Sequence, residues 1–309
     1  MKIVLAGGSG QVGRVLARAF QGQRHEVVIL SRSPEKGPVP MVQWDGKSLD
    51  GWVRELDGAD VVVNLAGRSV NCRYHGRNRR LILESRVHST RAVGEAIATC
   101  RVPPRVWLQM STATIYAHRY DRPNDEETGL IKGSLPEAPD KWKFSVEVAK
   151  AWEREVDRAK TPETRTVTLR SAMVMSPDRG GIFGTLLGLV RWGLGGKAGH
   201  GRQYVSWIHE QDFVNAVLWL IDHDEIQGAV NLASPNPLPY ADFMRILRQA
   251  WGVRFGLPAS KWMIEIGAIL MRTESELVLK SRRVIPGRLL DQGFHFNFPT
   301  WERASQDLC

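Results

Sequence analysis

The stretch Lys2 to Gly13, Lys-Ile-Val-Leu-Ala-Gly-Gly-Ser-Gly-Gln-Val-Gly, limits what this chain can fold into more than any other. The apolar run Ile3 to Ala6 is short enough for a buried strand. Gly7, Gly8, Gly10 and Gly13 follow it, and an amphipathic segment, Gln11 to Phe20, starts within the same turn. Strand, glycine turn and helix in that order give a loose glycine pattern a specific meaning, a cradle for a dinucleotide. The spacing fits Gly-x-x-Gly-x-x-Gly from Gly7 and Gly-x-Gly-x-x-Gly from Gly8. The first glycines permit a tight turn and leave room for a pyrophosphate, while Gly13 lets the helix pack close to the strand. The helix start at Gln11 and Val12 then offers free N–H groups and a partial positive charge to phosphates. The plain alternative is a glycine-rich loop that binds nothing.

Strand-like and helix-like segments alternate through the first half. Strands are predicted at Glu26–Leu30, Met41–Gln43, Val61–Leu65, Val106–Met110 and Thr166–Arg170, with helices over Arg79–Thr99 and Asp140–Ala159. Such alternation implies a doubly wound, Rossmann-type parallel sheet of the α/β class, with ligand at the carboxyl ends of the strands. Asn64-Leu65-Ala66-Gly67 and Ser111-Thr112-Ala113-Thr114-Ile115-Tyr116 close two of these strands, so topology puts both at the ligand edge. After Arg170 the pattern changes. Gly180 to Gly201 is expected to be a glycine-rich binding loop or lid. Helices are expected at Asp212–Asp222 and Tyr240–Trp251, followed by two more helical patterns and a Phe-rich turn, Phe294 to Phe298. The division expected is a dinucleotide-binding domain over 1–170, its sheet completed by parts of 205–235, and a smaller substrate lobe with a C-terminal helical region over 171–309.

Composition narrows the function. No apolar stretch approaches the ~20 residues of a membrane span, and the N-terminus reads as a strand rather than a signal peptide. Cys72, Cys100 and Cys309 form neither a close pair nor a metal-ligand spacing, so no metal is expected and a reducing cytoplasm is the expected home. The formal net charge of +9 invites a nucleic-acid reading. The arginines are spread along the chain, however, and a basic surface around a phosphorylated cofactor and an anionic small-molecule substrate explains the charge more simply. Arg191, Lys197 and His200 within the glycine-rich segment and Arg202 just after it suit such an anion, or equally a solvated mobile loop. Nothing in the pattern fixes an oligomeric state.

The end of the second strand selects the cofactor. An NAD site carries an acidic residue about 20 residues after the glycines, on the ribose 2′-hydroxyl. Here the strand ends in Leu30-Ser31-Arg32-Ser33 with no acid. An arginine can pair with a 2′-phosphate and stack on the adenine, so the expected cofactor is NADP.

Together these residues resemble the extended short-chain dehydrogenase/reductase superfamily: the Gly7–Gly13 turn, Asn64 to Gly67, Ser111-Thr112 with Tyr116, and Trp207-Ile208-His209-x-x-Asp212, in that order. The run Arg191 to His209, Glu84-Ser85-Arg86, Trp152-Glu153 and the tail Arg283 to Pro299 are similar to an epimerase-family, sugar-nucleotide-epimerase-like subgroup with a C-terminal domain of unknown function. The resemblance implies that Ser31, Arg32, Leu65, Ala66, Arg86 and Val174 contact NADP, with Gly67 and Ser111 beside it. It also implies that Thr112 takes the position of the catalytic Ser/Thr and that His209 and Asp212 lie near the substrate. The alternative for these last two is helix capping, which suits Asp212 better than His209.

The chain departs from the superfamily at its chemistry. A Tyr-x-x-x-Lys pair normally moves the proton, the lysine lowering the tyrosine pKa. Asn78, Tyr120, Asn124, Ile208 and Met244 stand four residues beyond the five tyrosines, and none is lysine. Aligned on Glu153, the two positions become Ser145 and Ala149; a one-residue shift gives Val146 and Lys150, still without a tyrosine. Two functions remain. One is an NADP-dependent reductase or epimerase acting on a carbonyl or nucleotide-sugar-like substrate, with Thr112 on the substrate oxygen and Tyr74, Glu147 or His209 as the proton source. The other is a catalytically weak NADP(H)-binding sensor or scaffold protein.

Overall fold

The computed structural model of this chain describes residues 1–131, 140–270 and 274–309. The strands are β1 (Lys2–Ala6), β2 (Glu26–Ser31), β3 (Met41–Gln43), β4 (Val61–Asn64), β5 (Val106–Thr112), β6 (Arg165–Ser171), β7 (Met173–Met175), β8 (Tyr204–Val205), β9 (Trp207–His209), β10 (Gly228–Leu232) and β11 (Leu238–Pro239). The helices are α1 (Gln11–Gly22), α2 (Gly76–Thr99), α3 (Asp140–Asp157), α4 (Ile182–Arg191), α5 (Glu210–Asp222), α6 (Tyr240–Ala250), α7 (Lys261–Leu270), α8 (Glu276–Leu279), α9 (Gly287–Asp291) and α10 (Trp301–Leu308).

Seven strands form one sheet in the order β10-β6-β5-β4-β1-β2-β3, every pairing parallel. This is a Rossmann-type doubly wound α/β fold. Successive β1 residues serve opposite faces, as strand geometry requires. Ile3 and Leu5 join Val15, Leu16 and Phe20 of α1 and Phe213, Val217 and Leu220 of α5. Val4 and Ala6 join Ala92, Val93 and Ala96 of α2, with Trp44 and Trp52. Burial on both faces explains why β1, β2 and β4 are continuous apolar runs rich in Val and Ile, without polar alternation. The chain leaves β1 toward β2 and β3, then returns to build β4, β5, β6 and β10 on the other side. The crevice outside β1 and β4 is therefore the topological switch point, where such sheets hold ligands.

Gly180 to Gly201 departs from the expected loop. Its first half is α4, one of whose faces is buried through Phe183, Leu186, Leu187 and Val190. Those residues follow helical spacing and pack with Trp207, Phe243, Met244 and Trp301 in a second core. Gly184 and Gly188 stand where a Cβ would meet nothing within 4 Å, so they weaken the helix without opening it. The basic group is dispersed as well. Arg191 lies over the Trp251 ring at 4.3 Å, and His200 is 3.2 Å from the Tyr120 hydroxyl. Among the described residues, no helix is long and apolar enough to cross a membrane, and no three His, Cys, Asp or Glu side chains converge as metal ligands would.

Candidate functional site

The glycine turn is built for close approach. Gly7 adopts φ +74°, and its N–H donates to the Leu30 carbonyl at 2.8 Å, tying β1 to the end of β2. A Cβ on Gly7 would stand 2.7 Å from the Ala66 Cα, and one on Gly13 would stand 2.1 Å from the Gly8 carbonyl oxygen. At Gly10 a Cβ would meet nothing within 4 Å, which marks the open side of the turn. Gly10 is the N-cap of α1 without a side-chain cap, and no acid stands in the first turn. The first bond back along the helix is Arg14 N–H to the Gly10 carbonyl, so the N–H groups of Gln11, Val12 and Gly13 have no partner within it. The Gln11 Nε2 is buried without a hydrogen-bond partner among the described residues. An open cradle, free N–H groups and an unmatched donor suit the phosphates of a dinucleotide.

The neighbouring strand ends complete the crevice. The Ser31 hydroxyl is spent on Ser33, while Arg32 is exposed and its carbonyl accepts from Gln43 Nε2 at 3.0 Å. After β4, the Asn64 side chain donates to Gln109 and accepts from Ala66 N–H, shaping the Leu65–Gly67 turn. A Cβ on Gly67 would lie 3.2 Å from the Arg86 guanidinium carbon. Arg86 donates to the Arg68 and Ile82 carbonyls and covers the Trp152 ring at 4.9 Å. Burial pulls its pKa down to about 10, against the attraction of Tyr74 and Cys72. Val174 is turned into the main core, only 7% exposed.

At the end of β5 two adjacent side chains part company. The Ser111 hydroxyl donates to Glu153 at 2.6 Å, and Arg170 grips the same carboxylate at 2.9 and 2.8 Å while reaching the Tyr116 hydroxyl. Ser111 thus belongs to a closed network under α3, and Glu153 holds Arg170 above its ordinary pKa against the pull of burial. Thr112 stays partly exposed at the strand's edge, its hydroxyl accepting from Thr114 N–H at 3.2 Å.

The three proposed proton sources separate. Glu147 is exposed and stands two residues from Ser145, about 200° around α3 and so on the far side from that hydroxyl. His209 is buried. Its Nδ1 accepts from Gln211 N–H as the N-cap of α5, its Nε2 meets Asp307 at 3.2 Å, and its ring stacks on Phe298. Asp212 is no cap; it accepts the backbone N–H groups of Asn297 and Phe298 at 2.8 and 2.9 Å. The capping preference is therefore reversed, because the tail returns across α5 and claims the carboxylate. Tyr74 does join α3. Its ring meets Phe144 edge-on, and its hydroxyl pairs with Ser145, the residue at the aligned tyrosine position. Burial first, then Glu276, push the Tyr74 pKa up to about 12.

Sequence reasoning missed what covers this hydroxyl. Glu276, Lys280 and Arg282 arrive from the C-terminal segment. Lys280 Nζ donates to the Thr114 carbonyl at 3.0 Å, and Arg282 Nε to the Thr114 hydroxyl at 3.1 Å. The one available signal was Glu276-x-x-x-Lys280, a helical ion-pair spacing that is common on exposed surfaces.

The model of the NAD dependent epimerase/dehydratase family matches residues 3–233. The chain belongs to that family. A second model, a domain of unknown function (DUF1731), matches residues 259–308, the part that carries Glu276, Lys280 and Arg282. An epimerase family protein of Staphylococcus haemolyticus is 30% identical over 99% of this chain and 98% of its own length. The crystal structure of human epimerase family protein SDR39U1 (isoform 2) with NADPH superposes with a TM-score of 0.85 at 26% identity, covering 100% of this chain and 99% of that one. A nucleoside-diphosphate sugar epimerase from Corynebacterium glutamicum gives 0.76 at 27% identity over 100% of this chain and 58% of its own.

In this family member the C-terminal segment is also latched by a histidine. The His118 Nδ1 accepts from Ser281 N–H at 2.7 Å, which requires that nitrogen unprotonated. Burial, then Lys280 and Arg282, bring its pKa down from 6.5 to about 4. A depressed folded-state pKa means that the unfolded chain binds the proton more readily. Stability is therefore full above pH 6.5 and declines as pH falls toward 4. Urea denaturation across that window is expected to lose roughly 2 kcal/mol through this group, discounted for its partial exposure. His118→Asn, which keeps an acceptor, should flatten the decline.

Proposed function

We propose that the chain is an NADP(H)-dependent reductase or epimerase acting on a carbonyl or nucleotide-sugar-like substrate. The observation that carries this reading is the meeting of Tyr74 with Ser145 on α3, which packs at the carboxyl end of β5, on the same sheet edge as the glycine cradle. The NADPH in the human relative's structure and the nucleoside-diphosphate sugar named for the Corynebacterium protein support the two halves of the reading. When bound, NADP(H) supplies or accepts the hydride. Gly7, Gly10, Gln11, Val12 and Gly13 would hold its phosphates, Leu65 to Gly67 and Arg86 would flank it, and Arg32 would meet the 2′-phosphate. Thr112 would hydrogen-bond the substrate oxygen, and Tyr74 would exchange the proton. Arg86 and Arg282, enclosed by protein yet partly reachable by solvent, would draw an anionic substrate into the crevice.

A sensor that binds NADP(H) and turns over little is the second reading. It is favoured by the high pKa of Tyr74, which lies far from any working pH. Titration of NADPH fluorescence, followed by assay on aldehydes, ketones and UDP-sugars, separates the two. Tight binding with turnover on any of them supports the enzyme; tight binding with none supports the sensor. Arg32→Ala is expected to weaken NADPH about 10- to 100-fold, as loss of a charge-assisted hydrogen bond does, and to leave NADH unchanged. Equal binding of both cofactors before and after that substitution would refute the assignment of NADP.

A further inference from the structure

Two ionisable groups from the C-terminal segment are sealed against the proposed site. Glu276 and Lys280 face each other at 3.7 Å, each side chain 1% exposed. A buried ion pair with so long a contact returns little for the desolvation of its charges, so stability is a poor account of it. The Glu276 Oε1 has no hydrogen-bond partner among the described residues, while Oε2 accepts from the Ser145 hydroxyl at 2.6 Å. With its one proton given to Glu276, the Ser145 hydroxyl oxygen can accept from the Tyr74 phenol, the direction a relay needs. Tyr74 itself is fixed from the same segment, its backbone N–H donating to Glu274 at 2.8 Å.

We propose that Ser145 and Glu276 form a proton relay behind Tyr74, with Lys280 positioning and charging its far end, so that the C-terminal segment performs the proton handling of the absent Tyr-x-x-x-Lys pair. The inference rests on the reading of Tyr74 as the group that meets substrate. In the oxidative direction a substrate hydroxyl proton passes to Tyr74, the Tyr74 proton to Ser145 and the Ser145 proton to Glu276. Three O–H bonds break, three form, and the carboxylate becomes a neutral acid beside the Lys280 ammonium. The substrate hydride leaves to an oxidised nicotinamide, and reduction runs the same chain backwards. The titratable and charged groups facing Tyr74 are Glu276, Arg282, Arg86 and the Cys72 thiol; those facing Lys280 are Glu276, Arg282 and His118. Burial together with Arg282 draws the Lys280 pKa down to about 8, which keeps its charge adjustable near neutral pH.

The test uses the full chain with trifluorotyrosine at position 74, a phenol that ionises near neutral pH, read by ¹⁹F NMR. Glu276→Gln removes a negative charge and should move the ionisation of Tyr74 at least half a pH unit lower. Lys280→Met leaves Glu276 uncompensated and should move it as far upward, and the double variant should return it near the starting value. Ser145→Ala, which needs little repacking, should also shift it, with NADPH affinity unchanged. Shifts of the same sign in the two charge variants, or none in Ser145→Ala, would overturn the relay. Absence of turnover on the substrate panel with these shifts intact would count against the enzymatic reading alone.

Discussion

Gly13→Ala is expected to cost both cofactor binding and stability. The added methyl would stand 2.1 Å from the Gly8 carbonyl oxygen, a backbone atom with no rotamer to yield. Relief requires α1 to back away from the turn, which separates the free N–H groups at Gln11 and Val12 from the phosphates. Overpacking of this kind costs about 3 kcal/mol. For a chain of 309 residues that lowers the melting temperature by roughly 5 °C. Calorimetry and NADPH titration check the two losses together, and NADPH affinity should fall at least about tenfold, the equivalent of 1.4 kcal/mol. Gly10→Ala is the matched control. Its Cβ meets nothing within 4 Å in the protein, so folding should be spared and only cofactor binding should suffer.

Tyr74→Phe is expected to reduce turnover by about 10²- to 10⁴-fold, the usual contribution of a positioned proton donor. The ring keeps its edge contact with Phe144, at 5.3 Å between centroids, and stability should change by only about 1 kcal/mol for one lost hydrogen bond. NADPH affinity should hold, because the cradle at Gly7–Gly13 is untouched. Stopped-flow oxidation of NADPH with the best substrate of the panel reads the chemical step directly. A rate within threefold of the unmodified protein would remove Tyr74 from the mechanism.

The local half of this architecture was readable from sequence. Ile3–Ala6, Val61–Asn64 and Val106–Met110 announce buried strands because both faces of each are covered, so no polar alternation dilutes the signal. The glycine turn was readable because one of its steric demands, Gly13 against Gly8, is local, although Gly7 answers to Ala66 far along the chain. What escaped depends on contacts between distant segments. Tyr74, Ser145 and Glu276 are brought together by the sheet and its crossings, and no periodicity reports such a meeting. The helix at Ile182–Arg191 was masked by its glycines, although its apolar spacing was present. The roles of His209 and Asp212 exchanged because Asn297 and Phe298, far along the chain, offer two N–H groups, one to each oxygen of the Asp212 carboxylate.

The place of β10 in the sheet bears on how the chain is made. It pairs with β6 from Gly228 to Leu232, opposite Val167 to Ser171, after more than fifty residues of α4, β7 to β9 and α5 have intervened. A chain still emerging from the ribosome therefore carries β6 as a bare edge, its N–H and C=O groups open to any passing strand. Long-range parallel pairing is slow to form and vulnerable while it waits. Arg165 is already on that edge, and its guanidinium later caps the Ile226 and Leu220 carbonyls at 2.8 and 2.9 Å. A positive charge at the open margin discourages like edges from joining until synthesis supplies the true neighbour.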